Sequence, residues 1–339
     1  MDPLTHGLAS FAVTRTFFPR VSRTILIGAI AAGTIADADL VSAWIGPSAF
    51  LRWHHTFSHS FLGTVLIVAF FSVALLILSR RRTSEIVSAK LCVLPPLCVA
   101  VMHLAMDLCQ SDGESLLWPF RNQRFSADWV AHVDLLIFIV FLCGVLLPRL
   151  FGLVSTEIGA KTKSPKGRVG AAISLAVLLF YIGTRAILHG NAAAELESRT
   201  YRGELARKWA VFPESSSPFH WGGIVETERA LHEVDVDVTP GVSFDPAAGT
   251  TIYKPDPSAA LDAAKNTDPA KRFLQVARFP KASVEKTAAG FRVEIRDFPY
   301  RDNSRSGWRV IAVIETDANA AIRNEQLVWN PSSRDYWIR

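Results

Sequence analysis

From Phe61 to Ser79 the chain is apolar without interruption, and Arg80, Arg81 and Arg82 close the run. A helix needs ~20 apolar residues to cross a bilayer, so this stretch predicts a transmembrane span. One span commits its neighbours to the same solvent. Leu4 to Phe18 predicts a short apolar helix, with Asp2 as N-cap and Pro3 in the first turn. Ile25 to Ile45 is a second apolar stretch, carrying Asp37 and Asp39 in its last third. Leu91 to Leu108 is a fourth, where Pro95 and Pro96 predict a kink, and Val133 to Leu147 and Ala171 to Leu188 are a fifth and a sixth. The expected fold is a membrane all-α helical bundle of about six transmembrane helices.

The apolar runs stop at Leu188, although half of all 339 residues are apolar. After it the helical pattern runs on to about Trp209, and VFPESSSPFHWGG is a turn-rich entry into a different kind of chain. Period-two alternation in GIVETERALHEVDVDV, RFLQVARF, FRVEIRDF, WRVIAVIET and QLVWNP predicts a small, soluble, mostly antiparallel β domain. The expected organisation is a membrane helical domain over 1–190, a helical and turn linker over 191–215, and a β-rich domain over 216–339. Cys92, Cys98, Cys109 and Cys143 all precede the soluble part, which therefore has no disulfide framework. MDPLTHG lacks the basic n-region of a cleavable signal peptide, so the first helix is expected to be retained.

The net charge of +5 sits mainly in short loops, which reads as a topology signal and not as a nucleic-acid surface. Arg15, Arg20 and Arg23 surround the first connection; the arginine triplet and Lys90 occupy the third; Arg149, Lys161, Lys163, Lys166 and Arg168 occupy the fifth. The alternate connections hold Arg52 in one and Arg121 and Arg124 in the other. By the positive-inside rule the basic loops are cytoplasmic, and both termini, with the β domain, are extracytoplasmic. That topology gathers His6, Asp37, Asp39, His54, His55, His59, His103, Asp107, His132 and Asp134 at the outer face of a cell (inner) membrane. The convergence was not built into the topology, and it points to a site.

RWHHTFSHS brings three histidines to the point where an apolar run meets water, and on a helix His55 and His59 would share a face. Neutral imidazole is the commonest protein metal ligand. His103 and Asp107 stand at i and i+4, so one helix face presents an imidazole and a carboxylate a turn apart. Ionisable groups inside a bilayer are costly and mark function. Asp37 and Asp39 would diverge on a regular helix, whereas a break near Gly33 or after Asp37 would turn both to one site, as ligand and base or as a bridge between two ions. His132, His189, His220 and His232 read as structural, His220 at the domain junction. There is no GxSxG elbow, phosphate loop or dinucleotide fingerprint, which leaves a metal-activated water as the best-supported nucleophile.

Six stretches in order, MDPLTHGLAS, Asp37-x-Asp39, HHTFSHS, HLAMD, LLWPF and RFSADW, closely resemble the YdjM-type membrane-bound metal-dependent hydrolases over roughly residues 1–150. The resemblance implies His6, Asp37, Asp39, His54, His59, His103 and Asp107 as the metal and active-site set, with Asp128 and Asp134 as further matching acidic positions. Through a distant similarity to zinc-dependent phospholipase C and P1-type nucleases it also implies zinc and phosphodiester hydrolysis. The chain departs from the pattern where Ala36 replaces a proline, Ser58 a threonine, and His55 an arginine that Arg52 could replace.

The expectation is an integral membrane hydrolase with one or two divalent ions, zinc foremost, held by His6, Asp37, His59, His103 and Asp107. Asp39 and His54 take catalytic roles, and the substrate is a phosphoester of a lipid or envelope component. The alternative is a metal-binding scaffold or transport-associated protein without turnover, its ion closed off by protein ligands.

Overall fold

The computed structural model describes residues 1–82, 88–157, 167–215, 217–298 and 310–329. The expected loop lysines Lys161, Lys163 and Lys166 lie outside them. The chain forms two compact units: Met1–Asp39 with His55–Ala186, and Leu40–His54 with Ile187–Arg339.

The first unit is helical. α1 (Pro3–Phe17) starts where the Asp2 carboxylate accepts from Thr5 N at 3.0 Å, with Pro3 in the first turn. α2 (Arg23–Ala32) is capped by Ser22 Oγ, which accepts from Ile25 N. It breaks at Gly33, and a 3-10 segment (Ile35–Val41) follows. α5 (Phe61–Arg82), α6 (Ala89–Leu108), α7 (Leu135–Glu157) and α8 (Arg168–Glu197) complete this part of the chain; α6 runs on through Pro95 and Pro96 without ending. α6 is the central element, packing against α1, α2 and α5. Its contacts use small residues: Ala9 and Ala12 of α1 and Ala29 and Ala32 of α2 are buried, which lets backbones approach closely.

Among the described residues three helices are long and apolar enough to cross a membrane, α5, α6 and α8, or up to four spans if α2 and Ile35–Ile45, bent by 46°, count as one, where the sequence predicts about six. Leu135–Leu150 of α7 is a shorter apolar helix. Val65, Phe70 and Val73 of α5 and Leu179 and Phe180 of α8 are more than half exposed, as lipid-facing side chains are. With its 30 residues, α8 is roughly 45 Å long, against ~30 Å of hydrocarbon. The surplus is its last turns from Ile187 onward, which belong to the second unit.

The second unit is mostly β. A two-stranded sheet pairs β1 (Thr200–Tyr201) with β2 (Glu204–Leu205). One antiparallel sheet has the order β3 (Lys208–Pro213), β4 (His220–Glu226), β5 (Ala230–Asp237), β6 (Thr250–Tyr253). The other has the order β10 (Ile322–Trp329), β9 (Val310–Thr316), β8 (Gly290–Asp297), β7 (Pro280–Thr287). Ala192, Ala193 and Leu196 from the end of α8 pack with Val211, Trp221, Val225, Val234 and Val236 of the first sheet. The second sheet carries α9 (Ala259–Lys265) and α10 (Asp268–Leu274).

Three local expectations change. RFLQVARF supplies the end of α10 and a turn, not a strand, because Thr267 caps the helix by accepting from Ala270 N and Pro269 fixes its first turn. α8 ends at Glu197 and strands begin at Thr200, so helix does not continue to Trp209. RWHHTFSHS is a helix end followed by turns: α4 (Pro47–Trp53) stops at His54, and His55 adopts φ +55°. His55 and His59 meet through that turn and not through a helical face.

The segment Leu40–His54 contains α3 (Ser42–Ile45) and α4 and belongs to the β unit. Phe50 and Leu51 are buried in one core with Ala264, Phe273, Val293, Val310 and Ala312. Burying a side chain of that size stabilises by about 1.5–3 kcal/mol.

Candidate metal centre

Four elements of the first unit supply the polar cluster. Gly33, where α2 ends, allows it to form: a Cβ there would lie 2.1 Å from Ser10 Oγ and 3.1 Å from Val99 Cβ. Its carbonyl is thereby free to lie 2.9 Å from His103 Nδ1. A carbonyl can only accept, so His103 carries a proton on Nδ1 and turns Nε2 toward the cluster.

His59 is oriented in the same way. Its Nδ1 is 3.2 Å from Asp39 Oδ2, which places a proton on Nδ1 and turns Nε2 toward His103. The two Nε2 atoms are 3.2 Å apart. Facing lone pairs at that distance repel unless a proton or a cation lies between them. Carboxylates complete the surroundings: His103 Nε2 is 3.0 Å from Asp107 Oδ2 and 3.7 Å from Asp37 Oδ1, and His59 Nε2 is 3.5 Å and 3.8 Å from the same atoms. Burial lowers the His59 pKa, but Glu114, Asp107, Asp37 and Asp39 more than offset it and hold the group well above its ordinary value.

His6 closes the other end. Its Nε2 is 3.0 Å from Asp107 Oδ1 and its ring lies 3.9 Å from that of His103. Asp107 Oδ1 also accepts from Gln110 Nε2 at 3.0 Å and from the Met1 ammonium at 2.5 Å. Asp37 Oδ2 has no hydrogen-bond partner among the described residues, and Asp107 Oδ2 meets only the imidazole Nε2 atoms just given, although both residues are buried. An orphaned oxygen costs ~1–3 kcal/mol and more when charged.

His6, Asp37, His103 and Asp107 each offer a ligand atom within 4.8 Å of the others, and this buried group could hold a metal ion. Ligand atoms ~2.0–2.1 Å from a tetrahedral ion stand ~3.3 Å apart; the Nε2 atoms of His59 and His103 lie 3.0 to 3.8 Å from Asp107 Oδ2 and Asp37 Oδ1, while the group with His6, spread within 4.8 Å, would draw in around an ion.

Asp39 does not face this group with a free edge. Its Oδ2 accepts from His55 N at 2.8 Å and Ser58 Oγ at 3.0 Å as well as meeting His59. His54 is the last residue of the second unit's segment and stacks on Phe50 with centroids 4.5 Å apart. Arg52 places its guanidinium over the Trp53 ring. Asp134 caps α7 through Leu136 N and Ile137 N and accepts from Tyr181 OH at 2.7 Å, which is a structural duty. Asp128 is buried with φ +58°. His132 pairs with Asp112, His220 with Asp237, and His232 lies 3.0 Å from Thr251 Oγ1.

Sequence reasoning missed Glu114. Fully buried, its Oε1 is 2.9 Å from His55 Nδ1, and burial pushes its carboxyl well above the ordinary range despite the pull of His59. One acidic residue in a polar loop carries no signal of this; only the backbone pairing of Glu114 with Phe125, and of Ser115 N with His55 O, folds that loop inward.

Fold and cluster together define a membrane protein whose helical unit buries a histidine–carboxylate set suited to a metal ion. The YdjM inner membrane protein family model matches residues 1–192, more than half of the chain, and the protein belongs to that family. No curated protein and no solved structure matches it.

Proposed function

We propose that the protein is a membrane-bound metal-dependent hydrolase that cleaves a phosphoester of a lipid or envelope component at the extracytoplasmic face. The observation that carries this reading is the pair of buried carboxylates, Asp37 and Asp107, gathered around two imidazole Nε2 atoms 3.2 Å apart. Three of His6, Asp37, His59, His103 and Asp107 would hold the ion with a fourth position left to water, and zinc suits their N/O donor set. A bound ion of this kind lowers the pKa of its water toward ~7 and stabilises oxyanion charge. Asp39 keeps His59 in the tautomer that offers Nε2, and Gly33 does the same for His103. With its Oδ2 already engaged by three donors, Asp39 serves better as an orienting group than as a free base. His54, at the chain's return from the second unit, remains the candidate for substrate contact.

Parity supports the six-span arrangement that we propose. Leu40–His54 and the residues after Ile187 form one compact unit, so they share a side of the membrane. The chain between them contains α5, α6, α7 and α8, and an even number of crossings returns it to that side. α7 therefore crosses too. With α1 and the broken second span this gives six, and the arginines ending α5 set the shared side as extracytoplasmic.

Burial favours the second reading, a non-catalytic metal-binding membrane scaffold or transport-associated protein. His59 and Asp107 are at most 1 % exposed, as expected of an ion closed off by protein ligands. Zinc-loaded protein in detergent, assayed against soluble and lipid phosphodiesters beside a His103→Ala/Asp107→Ala double variant, separates the two. Turnover lost in the variant supports the hydrolase. Bound metal without turnover on any phosphoester favours the scaffold.

A further inference from the structure

Within the helical unit, α5 fixes a depth in the membrane. Its apolar span, Phe61–Arg81, has 21 residues and so rises ~32 Å, about the ~30 Å thickness of the hydrocarbon layer. Arg80 and Arg81 close its cytoplasmic end, so Phe61 marks the opposite edge of the hydrocarbon. His59 stands two residues before Phe61. The metal centre therefore lies at the depth of the lipid headgroups.

The loop between α6 and α7 is tied to that depth. Phe61 N donates to Leu116 O at 3.0 Å, and Ser115 N donates to His55 O at 3.1 Å. Glu114 and Phe125 exchange backbone hydrogen bonds of 2.8 and 3.0 Å, which closes the base of the loop. Between them the chain is coiled in turns, with Trp118 N bonded to Ser115 O and Phe120 N to Leu117 O.

This tightly held loop shows rings where a loop in water would hide them. Phe120 is 86 % exposed, and Phe57 and Phe61, on either side of the buried His59, are 37 % and 54 % exposed. Trp118 meets Phe57 edge-on with centroids 5.4 Å apart. This surface runs on into the exposed Val65 and Leu66 of α5, so it continues the lipid-facing side of the span. Arg121, next to Phe120, is exposed as well. Aromatic rings with an arginine at headgroup depth suit the boundary of acyl chains and phosphates.

We propose that this loop is a lipid-binding lip of the metal centre, and that the substrate class is a phospholipid of the extracytoplasmic leaflet. Its acyl chains lie against Phe57, Phe61, Trp118 and Phe120, and Arg121 meets headgroup phosphate. A phosphoester held so is level with His59 without leaving the bilayer. Cleavage rests on the hydrolase reading above, whereas the lipid contact does not.

Full-length protein in nanodiscs of phosphatidylcholine and phosphatidylglycerol tests the contact, with benzoylphenylalanine in place of Phe120 or of Phe70. Phe70, 68 % exposed in α5, is the yardstick for a lipid-facing residue. Irradiation followed by intact-mass spectrometry is expected to find phospholipid adducts at both positions. Adducts at Phe70 alone would overturn the lip, and adducts at neither would overturn it together with the span. In zinc-loaded protein, Phe120→Ser is expected to raise the KM for vesicle phospholipid by about tenfold more than that for soluble bis(p-nitrophenyl) phosphate, the effect of one ring lost from an apolar contact. An equal change for the two substrates would count against the lip. A wild type that cleaves neither, yet gives lipid adducts at Phe120, would instead sink the hydrolase reading and leave the lip standing.

Discussion

Both units bury charge-bearing side chains, and they treat them in opposite ways. In the β domain the buried Asp297 accepts from Phe279 N at 2.7 Å, and His232 sits between Thr251 and Thr227. In the helical unit Asp37 and Asp107 are buried as deeply, yet Asp37 keeps one oxygen without a donor among the described residues, and both carboxylates crowd two imidazole Nε2 atoms 3.2 Å apart. Burial is therefore not the signal of a site. Groups whose demands are met within the fold are structure. Buried carboxylates gathered around imidazole nitrogens, with an oxygen left over, could hold a cation.

The sharpest way to break the contrast is to remove Asp107. If it serves a site and also binds the Met1 ammonium, His6 and Gln110, Asp107→Ala loses metal and destabilises the helical unit by about 3–5 kcal/mol. Detergent denaturation followed by tryptophan fluorescence reads the second effect. Chelation ranks next. An ion at a hundredfold excess over its Kd stabilises by about 2.7 kcal/mol, so EDTA should lower the melting of the helical unit and leave that of the β domain unmoved. Equal shifts in both would erase the distinction.

Gly33→Ala probes the geometry without touching a ligand. The added methyl must displace Ser10 or the Gly33 backbone, and overpacking of this kind costs about 1–3 kcal/mol. Weakened metal binding in a folded protein is the expected readout, since the Gly33 carbonyl would no longer fix His103.

The smallest effect lies in the β domain. Burial raises the Asp297 pKa, so the folded state holds that proton more tightly than the unfolded state. Stability from this group is then fully present below its unfolded pKa and is lost as pH rises through the folded value. Asp297→Asn still accepts from Phe279 N and should abolish that loss, leaving the variant level with or above wild type at neutral pH. Asp297→Ala should cost about 1–3 kcal/mol. Urea melts at several pH values measure both.

Much of the cluster was legible in the chain because helical spacing is legible. His103 and Asp107 at i and i+4 meet as their spacing requires, and Asp2 caps α1 where its position before Pro3 says it should. Alternation gave β4, β5, β8, β9 and part of β10, and passed over β3, β6 and β7. What was hidden is whatever depends on chain folding over distance. The roles of Asp39 and Glu114 come from a turn at His55 and a loop that folds inward. RFLQVARF alternates like a strand, but its cap and proline decide for helix. Nothing in SAWIGPSAFLRW announces that it belongs with strands far along the chain, because its partners are set by packing and not by pattern.

The most direct test of the central claim is metal content, by mass spectrometry, of the detergent-purified protein beside the His103→Ala/Asp107→Ala variant. The account predicts about one divalent ion per chain, zinc foremost, in the wild type and none in the folded variant. A wild type that holds no ion even after reconstitution with zinc, cobalt and manganese would contradict it, and would leave the buried histidines and carboxylates as polar locks of the helical unit.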